Sequence, residues 1–370
     1  MRPILATLPL CFCVVGTFLA GCRPPPTPND APRPTASPAP SARPVPASAP
    51  TRVALVLRGQ DTSLLDVFRL GSEAPLGFKV SSTNAGTVQT GDARPKLSPD
   101  GRWLAYGLSG RLWLAPVDGT APPQKITEFA EGEVDLLLSG WSPDSQTLLF
   151  HQGKPMGEEM GEEPPPLPAS VKEGFTLLTL TGRRVDHLAQ LEGFDTWDSD
   201  NQHVFFARSK PDRGTDIVRA DLRGGAAAVL QETADPNGFG QLARCGNDLA
   251  YLLKSRIERS KPDGASLVHV TPPGAFAEYQ WPVCSPDYVY TAWTHRVDAT
   301  PNGDSAIEVT TAGRPLQTLD RCKGGCAKFG WESPTTILVL DTGEVRRLGL
   351  DGSRATVATG VADLVLPDPQ

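Results

Sequence analysis

Histidine, aspartate, serine and cysteine are the residues of this chain that could do chemistry, and their spacing decides how far each goes. Five histidines occur, His151, His187, His203, His269 and His295. None stands in a His-x-His or His-Glu-x-x-His pattern, the spacings that bring two imidazoles onto one metal, so no metal-binding constellation is expected. A Gly-x-Ser-x-Gly elbow, which would present a nucleophilic serine, is absent. Asp100, Asp144, Asp200 and Asp287 recur along the chain and could form a ring of carboxylates around a cation. Turn residues bonding their own backbone account for them more simply. Cys245, Cys284, Cys322 and Cys326 offer redox chemistry, metal ligation or disulfides, and the run Cys322-Lys323-Gly324-Gly325-Cys326 has no neighbouring histidine to support zinc. The expectation is a chain without catalytic residue, cofactor or metal, and so not an enzyme.

Composition sets the frame for these residues. The 370 residues are 39% hydrophobic and 21% charged, with 42 acidic against 35 basic side chains for a net charge of −7. That balance supports a sizeable core and leaves no basic excess to hold a nucleic-acid backbone, so nucleic acid is excluded as a partner. The 36 glycines and 37 prolines argue against long helices and for many short elements joined by turns.

From residue 51 onward one pattern recurs: a short apolar strand, a Ser-Pro-Asp-like turn, a second strand rich in β-branched and aromatic residues, and a third strand closing on a Gly turn. The clearest copy is Pro95-Lys96-Leu97-Ser98-Pro99-Asp100-Gly101-Arg102-Trp103-Leu104-Ala105-Tyr106, and Trp141-Ser142-Pro143-Asp144-Ser145 repeats it. Weaker copies are Trp197-Asp198-Ser199-Asp200-Asn201, Arg244-Cys245-Gly246-Asn247-Asp248, Ser285-Pro286-Asp287 and Trp331-Glu332-Ser333-Pro334. Proline fixes φ, the aspartate bonds its own backbone and Gly or Asn accepts a positive φ, so the chain reverses tightly between antiparallel strands. A period of about 40 to 50 residues built from short strands is the signature of propeller blades.

These turns and their flanking strands resemble the TolB-type, WD-repeat-like propeller repeat, Trp-Ser-Pro-Asp-Gly before a Leu/Ile-Ala-Phe/Tyr strand. The resemblance covers residues 51–370 and implies an all-β fold, one β-propeller that holds an envelope partner on a face. TolB itself carries a preceding α/β domain that is missing here, and no α/β segment follows, unlike the propeller-bearing prolyl oligopeptidases. Second strands are expected near Val53, Trp103, Thr147, His203, Leu249, Tyr288 and Thr336. First strands also number seven if residues 362–366 supply the last, which would close the ring on the N-terminal blade; six blades is the competing count. Trp141, Trp197 and Trp331 then hold equivalent places before the turn, where a flat side chain wedges between blades. In the same frame Cys245 and Cys284 lie beside the turns of consecutive blades, and Cys322 and Cys326 lie together in a loop at the other end. Disulfides 245 with 284 and 322 with 326 keep partners on one face. The insertion 152–174, with Gly157-Glu158-Glu159-Met160-Gly161-Glu162-Glu163, should project from the third blade as an acidic loop suited to a basic partner.

The N-terminus gives an address. Met1-Arg2-Pro3 and an apolar run over 4–20 describe a secretory signal too short to span a bilayer comfortably. Leu19-Ala20-Gly21-Cys22 resembles the lipobox of bacterial lipoproteins, by which residues 1–21 are removed and Cys22 is lipidated. Residues 23–50 hold 11 prolines in 28 positions, an extended spacer that reaches about 85 Å at ~3.1 Å per residue. Arg23 stands where an acidic inner-membrane retention residue would be. The expectation is a lipoprotein of the bacterial cell envelope, anchored through Cys22 in the outer membrane and facing the periplasm or the cell surface. Its propeller would bind an envelope protein or other macromolecule. The alternatives are a propeller enzyme of hydrolase, lyase or lactonase type and a structural spacer.

Overall fold

A computed structural model describes residues 52–368, apart from 60–63, 82–93, 109–110, 128–133, 155–165, 212–213, 236–237, 255, 272–278, 298–302, 312–315 and 327. The expected signal, Cys22, the Pro-rich segment and the acidic run 157–163 lie outside the described residues. The described chain forms seven four-stranded antiparallel sheets, and the one helical element is the 3-10 turn Thr181–Arg183. The first strands of the seven sheets are Asp363–Val365, Lys96–Leu97, Asp135–Trp141, Thr196–Trp197, Phe239–Cys245, Tyr279–Cys284 and Lys328–Ser333, for blades 1 to 7 in ring order. Neighbouring first strands touch one another and so line a central channel.

The ring closes on itself. In blade 1 the first strand comes from the far end of the chain: Leu55 pairs with Val365, Val56 with Leu364 and Leu57 with Asp363, antiparallel. Alternation along this strand serves two interfaces, with Leu364 and Leu366 packed toward blade 7 and Val365 toward blade 2. The remaining second strands, Trp103–Leu108, Thr147–Gly153, His203–Ser209, Asp248–Leu253, Thr291–Arg296 and Thr336–Asp341, are the apolar runs after each turn. They are buried on both sides because each sheet is stacked between two others. The core accordingly lies between blades as a series of clusters, such as Leu112, Leu136, Trp141, Leu148 and Phe150 between blades 2 and 3.

The strand order sorts the connections into two faces. The turns after first and third strands share one face, where none is longer than 117–123 or 261–267. The strands joined through 82–95, 126–134, 154–173, 270–278 and 297–304 end and begin on the other. The chain enters the ring on the tight-turn face, where Arg52 N–H donates to the Glu332 carbonyl at 2.9 Å. The Cβ that Gly101 lacks would stand 3.0 Å from Val53, so the turn of blade 2 fits against this entry only with glycine there, at φ +71°.

Candidate functional site

The recurring aspartates are turn residues. In blade 2 Ser98 Oγ donates to Asp100 Oδ1 at 2.6 Å and accepts Trp103 N–H at 2.9 Å. Blade 3 repeats this with Ser142, Asp144 and Thr147 at 2.6 and 2.9 Å, and blade 6 with Ser285, Asp287 and Tyr290 at 2.5 and 2.9 Å. Each carboxylate also caps a backbone N–H two residues on, at 3.0 Å from Arg102 and Gln146 and 3.2 Å from Val289. The oxygens of Asp100, Asp144 and Asp287 are used locally, so the recurring aspartates do not assemble into a ring around a cation. The turns are then tied to one another: Asp100 N–H donates to Ser145 Oγ at 3.0 Å and Asp144 N–H to Asn201 Oδ1 at 3.0 Å.

Blade 4 breaks the pattern. Asp198 stands where blades 2, 3 and 6 have serine, so two carboxylates enter one turn. Asp200 Oδ2 lies 2.6 Å from His203 Nδ1, and ligand atoms of Asp198, Asp200 and His203 all fall within 4.8 Å of one another, a group that could hold a metal ion. Arg219 from the third strand lies against both acids, 2.8 Å from Asp198 Oδ2 and 2.7 Å from Asp200 Oδ2. Arg244 of blade 5 adds a second guanidinium, 3.3 Å from Asp198 Oδ1. Burial lowers the pKa of Arg244, and the negative charge of Asp198 works against that. Burial also works to raise the pKa of Asp200, but the N–H groups of Gln202 and His203 and the His203 ring hold it below the carboxylate range.

The other histidines keep to their strands. His269 and His295 face the buried carboxylates Glu258 and Glu308 at 3.3 Å each, while His151 packs edge-on against Phe175 and burial lowers the pKa of His187. Trp141, Trp197 and Trp331 are 1%, 4% and 2% exposed. Each does more than wedge: its indole N–H donates to a carbonyl of the preceding blade, Lys96 at 3.0 Å, Gly140 at 3.2 Å and Val283 at 3.0 Å. Between blades 5 and 6 Cys284 takes the place of that tryptophan and is bonded to Cys245, with Cα atoms 5.4 Å apart. Cys322 is bonded to Cys326 at a Cα separation of 5.1 Å, next to the first strand of blade 7.

The channel carries charge of both signs. A cavity of about 330 Å³ opens at its tight-turn end, walled by Trp141, Phe194, Leu242 and Val283 with Lys96 and Asp368 among its polar lining. Lys328 lies 3.4 Å from Asp363. Burial lowers the pKa of Lys328, the Asp363 charge opposes this, and the positive charges of Lys96 and Arg94 reinforce it.

No family model and no curated protein matches the chain by sequence. Solved structures match it by shape. An oligogalacturonate lyase in complex with manganese superposes with a TM-score of 0.55 at 13% identity, over 82% of this chain and 84% of that one. The acylaminoacyl peptidase of Pyrococcus horikoshii does so with 0.55 at 15% identity, over 84% of this chain and 51% of the peptidase, about half its length. TolB from Acinetobacter baumannii is also among the similar structures, with a TM-score of 0.39 at 17% identity over 85% of this chain and 65% of that one. The fold is a seven-bladed β-propeller.

Two expectations change with these findings. No metal-binding constellation was expected, yet Asp198, Asp200 and His203 converge. The chain was expected not to be an enzyme; that is corrected, because its propeller is shared with a lyase and a peptidase and a group of potential metal ligands is present. The spacing rules for histidine pairs missed the trio because it is built across a turn, with ligands two and three residues apart. The legible signal was the aspartate in the serine position of Trp197-Asp198-Ser199-Asp200. Carboxylate oxygen suits hard divalent cations and imidazole suits transition metals, so the donor set by itself selects no one ion. Arg219 already neutralises both acids, so an ion can enter only if the guanidinium leaves.

Proposed function

We propose that this chain is an envelope lipoprotein, acylated at Cys22 and carried on its Pro-rich segment, whose propeller binds another envelope macromolecule on the long-loop face. The observation that carries the reading is the entry of the chain. Arg52 joins the ring on the tight-turn face, opposite the face at which the strands joined through 82–95, 126–134, 154–173, 270–278 and 297–304 end and begin. A rigid ring with long loops on one side is the arrangement in which loops serve recognition. The Leu-Ala-Gly-Cys run with Arg23 supports anchoring in the outer membrane.

Crosslinking and pull-down of the native lipoprotein test this reading. A defined envelope partner is expected, and its yield should fall when Glu158, Glu159, Glu162 and Glu163 are replaced by Gln. Recovery unchanged by that replacement and by shortening the other long loops would remove the face from the proposal. Cys22→Ser should leave an unprocessed precursor that takes up no fatty-acid label. Membrane fractionation should find the wild type with the outer membrane.

A second reading, a propeller enzyme, is favoured by the trio of blade 4 and by the fold shared with the oligogalacturonate lyase. Metal bound at about one equivalent in purified protein, and lost in Asp198→Asn, would support it.

A further inference from the structure

The channel mouth is occupied by a residue that ring closure does not require. Beyond the strand Asp363–Val365 the chain runs on, and Pro367 bridges Leu97 in parallel register. Asp368 N–H donates to the Leu97 carbonyl at 3.0 Å, and its carboxylate reaches blade 3. There Oδ2 accepts the Trp141 backbone N–H at 2.7 Å, while Oδ1 lies 3.6 Å from Lys96 Nζ. Missing side chains make the room: a Cβ on Gly140 would lie 3.3 Å from Asp368 Oδ2, and one on Gly330 would lie 2.6 Å from Leu366 Cδ1. The Asp368 side chain is only 13% exposed. The Trp141 N–H bond to this carboxylate is charge-assisted and of the stronger kind, and the Lys96 ammonium adds an ion pair beside it. Positive charge accumulates around them, with Lys328 within electrostatic reach of Lys96 and Arg94. Two carboxylates of the C-terminal segment, Asp363 and Asp368, balance it.

We infer that the tight-turn mouth of the channel is a binding site for the carboxylate of an acidic peptide segment, filled here by Asp368 of the chain's own tail. The ligand class follows from what else the site offers. The Leu97 carbonyl takes a backbone N–H, and Phe194 and Trp141 wall the cavity beside it, features that fit a peptide and its apolar neighbours. Because closure rests on residues 363–365, the tail beyond them can be displaced with the ring intact. A partner segment carrying Asp would compete with it. The site lies on the face opposite the long loops and does not depend on the reading given above.

The test uses the chain ending at Leu366 and the peptide acetyl-Leu-Pro-Asp-Pro-Gln, in calorimetric titration. The shortened chain should bind this peptide about tenfold more tightly than the same peptide with Asn for Asp, and the full chain should bind neither. A shortened chain that unfolds near the full-length temperature yet binds neither peptide, or both alike, overturns the inference. Should the shortened chain fail to fold, carboxypeptidase Y trimming of the full chain decides instead. Asp368→Asn should release residues 367–370 about tenfold faster than wild type, and equal rates overturn the inference.

Discussion

Single side chains in this protein act mostly within their own turn or onto the next blade, which makes their energetics testable one at a time. Arg347 grips Glu332 by donating from Nε and Nη2, at 2.6 and 2.5 Å, and Glu332 is 5% exposed. Removing one partner leaves a buried carboxylate unpaired, so Arg347→Met should cost about 2 kcal/mol in urea unfolding, less than for a fully buried pair because the arginine is half-exposed. Adding Glu332→Gln should restore part of the loss, and independent additive losses would show the pair is not coupled. Asp248 gives a pH-dependent case. Burial works to raise its pKa, but Lys261 at 2.7 Å and Arg259 at 3.0 Å hold it below the ordinary range. A carboxylate held low stabilises the fold at all pH above its unfolded pKa, about 4, and loses that contribution as pH falls through the folded value. Asp248→Asn should therefore lower the unfolding temperature at pH 7 and make little difference near pH 2. The turn aspartates were legible because their partners are two residues away. Arg219 was not, since it reaches Asp198 from 21 residues on through strand register that the sequence does not display.

Between neighbouring blades the same junction is solved in two ways. Tryptophan joins blades 2 and 3, 3 and 4, and 6 and 7 by an indole N–H to the preceding first strand. Blades 5 and 6 use Cys245 and Cys284. Trp141→Phe keeps the apolar wedge and loses one hydrogen bond, so it should cost about 1 kcal/mol, with the Lys96 carbonyl left to find water. Cys284→Ser removes a link between residues 39 apart and should cost about 2 to 4 kcal/mol, whereas opening the small Cys322–Cys326 loop should cost far less. Peptide mapping without reductant should find both links; four free thiols would contradict them. The second strands were legible from their apolar runs, at Trp103, Thr147, His203 and Thr336. The first strands were harder to read, because in blades 2 and 4 they shrink to Lys96–Leu97 and Thr196–Trp197, too short to show alternation. Blade 6 begins its second strand at Thr291 rather than Tyr288, which the turn keeps at φ 59°.

At the scale of the whole ring, seven blades rather than six follow from where the two ends meet. Seven second strands need seven first strands, and the described residues before 363 supply six; the seventh is Asp363–Val365, paired with Leu55–Arg58. Closure at this seam uses hydrogen bonds, apolar packing and the Lys328–Asp363 ion pair, without a disulfide, so it is the place where the ring can be opened by deletion. A chain ending at Gly360 loses the first strand of blade 1, leaving Leu55–Arg58 with an unpaired edge at the channel and the packing of Leu364 and Val365 unmade. Exposed strand edges recruit other strands, so this chain should aggregate and unfold well below the full-length temperature. A chain ending at Leu366 keeps the closing strand and gives up only the Pro367 bridge and the Asp368 contacts. It should remain monomeric, with a small fall in unfolding temperature. Size-exclusion chromatography and thermal unfolding of the two chains side by side separate the strand that closes the ring from the tail that fills its channel. If both behave like the full chain, the ring is held without the C-terminal strand.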